Sequence, residues 1–188
     1  MNQPEHKSKG AERGKETLFR VSYQHQSKLI QIADYKANMI ISLSTMIISG
    51  IIAIMGYGAV SGKITEINMM LFIPVVGIVI ACLTSLIFAI QAARPKLLMT
   101  VNTDDPDQKS SLLFFGVISQ YSQKDYLENM KTLLASDQEM YEHMTIDLHN
   151  QGLILKRKYN LLVYSYQVLK YGFVINVVIF VALLMMYF

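Results

Sequence analysis

The chain has 188 residues with 17 Lys and Arg against 14 Asp and Glu, and 52% of it is hydrophobic while only 16% is charged; soluble domains usually carry roughly 25% charged residues. With a mean hydropathy of +0.31, one Cys and no Trp, the composition excludes a disulfide-stapled secreted module and a disordered tail. A membrane protein is the expectation.

In chain order, residues 1–13 read as a mobile polar tail. The first 36 residues carry seven Lys or Arg and four Asp or Glu and have no apolar core of a signal peptide, so the first apolar segment is expected to be an uncleaved anchor. Residues 14–36 read as a helical arm, with Leu18, Val21, Leu29 and Ile32 at roughly helical spacing. Three windows free of formal charge follow: 26 residues between Lys36 and Lys63, 27 between Glu66 and Arg94, and 18 after Lys170. About 20 apolar residues at 1.5 Å rise span the roughly 30 Å of bilayer hydrocarbon. Transmembrane helices are therefore expected at 37–58, 67–93 and 169–188.

The short link holds one cation, Lys63, and one anion, Glu66. Basic residues gather at the other ends: Arg20, Lys28 and Lys36 before the first span, Arg94 and Lys96 after the second, and Lys156, Arg157, Lys158 and Lys170 before the third. Basic residues retained on the cytoplasmic side place the N-terminus and residues 94–170 in the cytoplasm, with the short link outside. Residues 94–170 hold nine basic and nine acidic residues, which argues against a nucleic-acid partner.

Within 94–168, a cytoplasmic helical region, residues 102–111 are turn-rich and LLFFGVI is a short apolar run. Ser122 followed by Asp125 predicts a capped helix from Gln123 to about Leu134. A second helix is predicted from Ser136 or Asp137, with Met140, Met144, Leu148, Leu155, Leu162, Tyr166 and Leu169 as one buried stripe and Gly152 as a possible break. The fold class is thus an all-α membrane protein, three transmembrane helices with a small cytoplasmic helical bundle formed by extensions of the first and third spans.

No catalytic or metal-ligating constellation stands out, and no cofactor is expected. His143, Asp147 and His149 read as a solvated polar face, and Asp104, Asp105 and Asp107 as an Asp/Pro turn. An enzyme is not expected. Small residues recur every four positions at Gly77, Ala81, Ser85 and Ala89, and at Thr45, Ser49 and Ala53, which favours helix packing between spans or between subunits of a homo-oligomer.

Three strings, QIADYKANMIISLSTMIIS (31–49), LLFFGVISQYSQKDYLENM (112–130) and LHNQGLILKRKYNLLVYSY (148–166), resemble the transmembrane effectors of Pycsar antiphage systems, in the same order and covering the chain from about residue 18. The resemblance implies that a bacterial cyclase makes cyclic CMP or cyclic UMP on infection. The effector senses this cyclic pyrimidine mononucleotide and impairs inner-membrane integrity, causing abortive infection. Such a ligand calls for a cation at its phosphate, a polar reader at its edge and a flat stacking surface. The matched strings offer Asp34 and Lys36, Phe115, Lys156 and Lys158, and Tyr159. The same residues also read as an interfacial ion pair, core and a belt at the membrane lipid headgroups. The alternative function is a scaffold that binds a cytoplasmic protein without sensing a nucleotide.

Overall fold

A computed structural model describes residues 4–62, 72–94 and 111–187, with side chains from residue 12 onward except Phe115 and Tyr187. The described residues are helical and contain no strand. The link around Lys63 and Glu66, the start of the second span at 67–71, and the 102–110 turn with Lys96 and the three Asp residues lie outside them.

Helix α1 runs from Pro4 to Val60 as one element. Its start precedes the expected one near Gly14 and takes in most of the segment read as a mobile tail. Proline fits the first helical position, since its fixed φ suits the helix and its missing N–H has no intrahelical partner there; the next Pro is Pro74, so nothing interrupts the run. Helix α2 spans Phe72–Ala93. A single turn, α3, covers Phe115–Ile118, followed by α4 at Gln123–Leu134 and α5 at Asp137–Tyr187. Gly152 does not break α5. Three helices, α1, α2 and α5, are long and apolar enough to cross a membrane.

The chain divides into two compact units, one of Met1–Gln31 with Pro95–Lys156 and one of Ile32–Arg94 with Arg157–Phe188. Helices α1 and α5 each supply residues to both.

In the first unit, α1 and α5 run parallel: Phe19 meets Tyr141 and Gln26 approaches Gly152. The buried side of α1 passes through Phe19, Ser22, Gln26 and Ile30, all half-buried, whereas Leu18 and Val21 are exposed. The expected apolar face of the arm was therefore placed about one residue, or 100°, off the seam; of its members only Leu29 is partly covered, and Ile32 is exposed as well. Short local bonds dock the 111–118 segment on α5. The Ser111 hydroxyl donates to the His143 carbonyl at 3.0 Å, and the Leu112 N–H donates to His143 Nδ1 at 3.2 Å.

Helix α4 begins where a side chain replaces the missing helical acceptor for its first N–H groups. Ser122 is extended (φ −68, ψ 155) and its hydroxyl accepts the Asp125 N–H at 3.3 Å while donating to the Asp125 carboxylate at 2.6 Å. The Ser136 hydroxyl accepts the Glu139 N–H at the start of α5 at 3.4 Å. Leu133 is the buried residue of α4.

The second unit packs α1, α2 and α5 through small residues. Its core is Ala33, Ala37 and Ile40 of α1, Ala89 and Ala92 of α2 and Leu162 of α5. Ser44, Ser85 and Ser165 are also fully buried. Helix α1 stays parallel to α5, since Asp34 meets Lys158 and Lys36 meets Tyr159. Helix α2 is antiparallel to α5, because Gly77 abuts Asn176 and Ala81 abuts Gly172. Large apolar residues such as Ile52, Ile54, Val76, Val178 and Met185 point outward, as lipid-facing residues do.

The expected stripe on α5 is half-buried from Met140 to Leu155, buried at Leu162 and partly buried at Leu169, but Tyr166 is exposed. Ser165 takes the inward position beside it, since only a small side chain fits where α2 comes this close.

Candidate functional site

Four of the six expected ligand residues come together in the second unit. The Lys158 ammonium pairs with and donates to the Asp34 carboxylate; the lysine side chain is 11% exposed and the aspartate 40%. The Lys36 ammonium lies 5.8 Å from the centre of the Tyr159 ring, within cation–π range. Opposite charges at facing positions on parallel helices thus satisfy one another. Phe115 lies in α3 and Lys156, exposed, in α5; both belong to the first unit.

The small-residue row of α2 faces α5 of the same chain. Ser85 and Ser165 clasp each other: the Ser85 hydroxyl donates to the Ser165 carbonyl at 2.9 Å and the Ser165 hydroxyl to the Ser85 carbonyl at 2.7 Å. Asn176 donates to the Gly172 carbonyl at 2.7 Å, which holds its side chain against Gly77. By contrast Thr45, Ser49 and Ala53 of α1 are exposed in the single chain, and the Thr45 hydroxyl bonds back to the Ile41 carbonyl. The row that packs on α1 is Ala33, Ala37, Ile40 and Ser44. Changing Ser85 and Ser165 to Ala, singly and together, is expected to cost about 1–2 kcal/mol each with strong non-additivity, because both bonds belong to one clasp; thermal unfolding of the four forms in detergent measures the coupling.

The first unit holds two arrangements that the sequence pattern did not single out. One is an open groove of about 980 Å³ lined by Glu12, Arg13, Lys15 and Phe19 of α1 and Asp137 and Tyr141 of α5, among others. The Phe19 and Tyr141 rings stack at 5.5 Å and 26°, and the Lys15 ammonium lies 5.5 Å from the Tyr141 ring.

The other is buried. Asp147 is 2% exposed, not part of a solvated face with His143 and His149. Its Oδ2 accepts from the Gln151 amide at 3.1 Å, and the Tyr23 hydroxyl of α1 acts on the same carboxyl. Burial pushes the Asp147 carboxyl above its ordinary range, and Gln151 and the Tyr23 hydroxyl oppose that. The Tyr23 hydroxyl is pushed up by burial first and by the Asp147 charge second. Asp147 Oδ1, Gln26 Oε1 and Gln151 Oε1 are buried without a hydrogen-bond partner among the described residues. A signal existed: Asp147 lies seven residues after Met140 and seven before Ile154, so it shares their face of the helix.

Three long apolar helices, with no strand among the described residues, define an integral membrane protein. Residues 18–187 match the family model described as PycTM, the Pycsar effector protein domain. The chain belongs to this family of antiphage effectors, and its first 17 residues precede the match. No curated protein and no solved structure gives a significant match.

Proposed function

We propose that this effector senses a cyclic pyrimidine mononucleotide, cyclic UMP or cyclic CMP, with its first unit, and answers by impairing the bacterial inner membrane with its second. The observation that carries this reading is that α1 and α5 each belong to both units without a break in the helix. A ligand that binds one conformation of the α1–α5 pair better than another shifts the population of that conformation, and the membrane segments that continue these helices shift relative to one another. The groove between Phe19 and Tyr141 suits a flat pyrimidine and one phosphate. It offers stacked rings beside Arg13 and Lys15, in the volume range of small-molecule sites, roughly 300–1,000 Å³. Among the residues expected from sequence, Lys156 is the exposed cation in the same unit, whereas Lys158 is already matched by Asp34.

In this reading the N-terminus and residues 94–170 are cytoplasmic, the protein is not an enzyme, and subunits assemble through the exposed Thr45, Ser49 and Ala53 face. Titration of the detergent-purified protein with cyclic UMP, cyclic CMP and cyclic AMP tests the sensing step. Saturable binding of a pyrimidine nucleotide at micromolar concentration, weakened at least about tenfold by Tyr141→Ala with Lys15→Ala, is the expected result. No saturable binding of either pyrimidine nucleotide removes the sensing claim and favours the scaffold. Uptake of an impermeant dye by expressing cells, with and without the cyclase product, tests the membrane step.

A further inference from the structure

We propose that the α1–α5 seam of the first unit is a proton-dependent latch, closed on a neutral Asp147 and loosened when that carboxyl ionises. The geometry asks for a missing donor. Asp147 Oδ1, Gln26 Oε1 and Gln151 Oε1 are three buried acceptors, drawn from both helices, with no donor among the described residues. Each such orphan costs roughly 1–3 kcal/mol. A proton on Asp147 turns one acceptor into a donor. Gln151, already joined to Asp147 through its amide N–H, and Gln26, which faces α5 beside Gly152, then supply acceptors for it. An ionised Asp147 keeps the Gln151 amide on Oδ2 but leaves Oδ1 without a donor, and no cation among the described residues acts on it: the titratable group that reaches it from α1 is Tyr23, an uncharged phenol at neutral pH. On α5, His143 sits one turn earlier, but its Nδ1 is occupied by the Leu112 N–H and its own carbonyl by the Ser111 hydroxyl.

The sign follows from burial. The folded carboxyl titrates above its ordinary value of 3.8, so the closed seam has its full stability below that value and loses stability as pH rises through the folded one. The latch is independent of the ligand reading: it needs only Asp147 and its neighbours.

Hydrogen exchange of the full chain in detergent, corrected for intrinsic rates, tests this on peptides covering Phe19–Gln26 and Tyr141–Gln151. Raising the pH from about 3.5 to about 7 is expected to lower protection in both peptides severalfold, since each unit by which the carboxyl is raised counts about tenfold. Asp147→Asn supplies an amide donor in place of the proton and is expected to hold protection constant across that range. Unchanged protection in the wild-type chain overturns the proposal. So does the same loss in Asp147→Asn, which would assign the effect to His25, His143 or His149. If Asp147→Asn does not fold, Asp147→Leu, which also lacks an ionisable group, is read by the same two outcomes, and the wild-type profile decides by itself.

Discussion

Gly172→Leu is expected to dismantle the second unit. A Cβ at Gly172 would overlap the Ala81 Cβ, so even alanine forces α2 and α5 apart, and leucine adds three more carbons at the same point. Overpacking a close-packed interior costs about 1–3 kcal/mol, and leucine here belongs at the upper end or beyond. For a chain of this length that lowers the melting temperature by roughly 6–12 °C. Fluorescence-detected size exclusion and thermal unfolding in detergent read the loss. Gly56→Leu is the matched control: a Cβ there meets nothing within 4 Å, and melting within about 2 °C of wild type is the expected result. Equal behaviour of the two variants would mean that α2 and α5 do not meet at Gly172.

Lys158→Glu carries the second largest effect. It replaces an attractive pair by two carboxylates facing each other across α1 and α5. Breaking a fully buried pair costs about 3–5 kcal/mol, but Asp34 keeps 40% of its side chain in contact with solvent, so screening reduces the figure to about 1–3 kcal/mol. The reversed pair, Asp34→Lys with Lys158→Glu, is expected to recover at least half of the loss, because the helices keep their facing positions and only the signs exchange. Failure of the reversal to recover stability would assign Lys158 a role other than its contact with Asp34. Exposed Lys156, two residues away, is the comparison: Lys156→Glu should change melting by about 2 °C or less.

The features legible in sequence were those set by short-range physics. The α4 start was readable because Ser122 and Asp125 satisfy each other within one turn. The three spans were readable because an apolar helix without charge over 18 or more residues is long enough to cross the hydrocarbon and has no polar face to offer water. The α2 row was readable as a period of four, although nothing in the row told whether α5 or a second subunit would face it.

What escaped the sequence depended on contacts across helices. Thr45, Ser49 and Ala53 have the same small side chains as Ala33, Ala37 and Ser44, yet the latter face the core. The difference lies in where α2 and α5 stand, which no local pattern records. Asp147 was read as solvated because a lone carboxylate usually is, and only its seven-residue spacing from Met140 marked it as inward. Lys158 looked free to take a phosphate because its partner is 124 residues away in the chain.

The fit of Gly172 against Ala81, with Gly77 under Asn176 and the crossed serine bonds, also fixes which helix of the second unit has freedom to move. Sliding α5 by one residue along α2 would advance it 1.5 Å and turn it 100°, which would carry Tyr171 or Phe173 into a space that holds only a hydrogen atom. The α2–α5 pair has a single register and behaves as a fixed rail. Helix α1 rests on that rail through Ala33, Ala37, Ile40 and Ser44, the Asp34–Lys158 pair and the Lys36–Tyr159 contact, with no interlocking glycine among the described residues, so displacement within the second unit falls to α1, along the seam from Ala33 to Ser44.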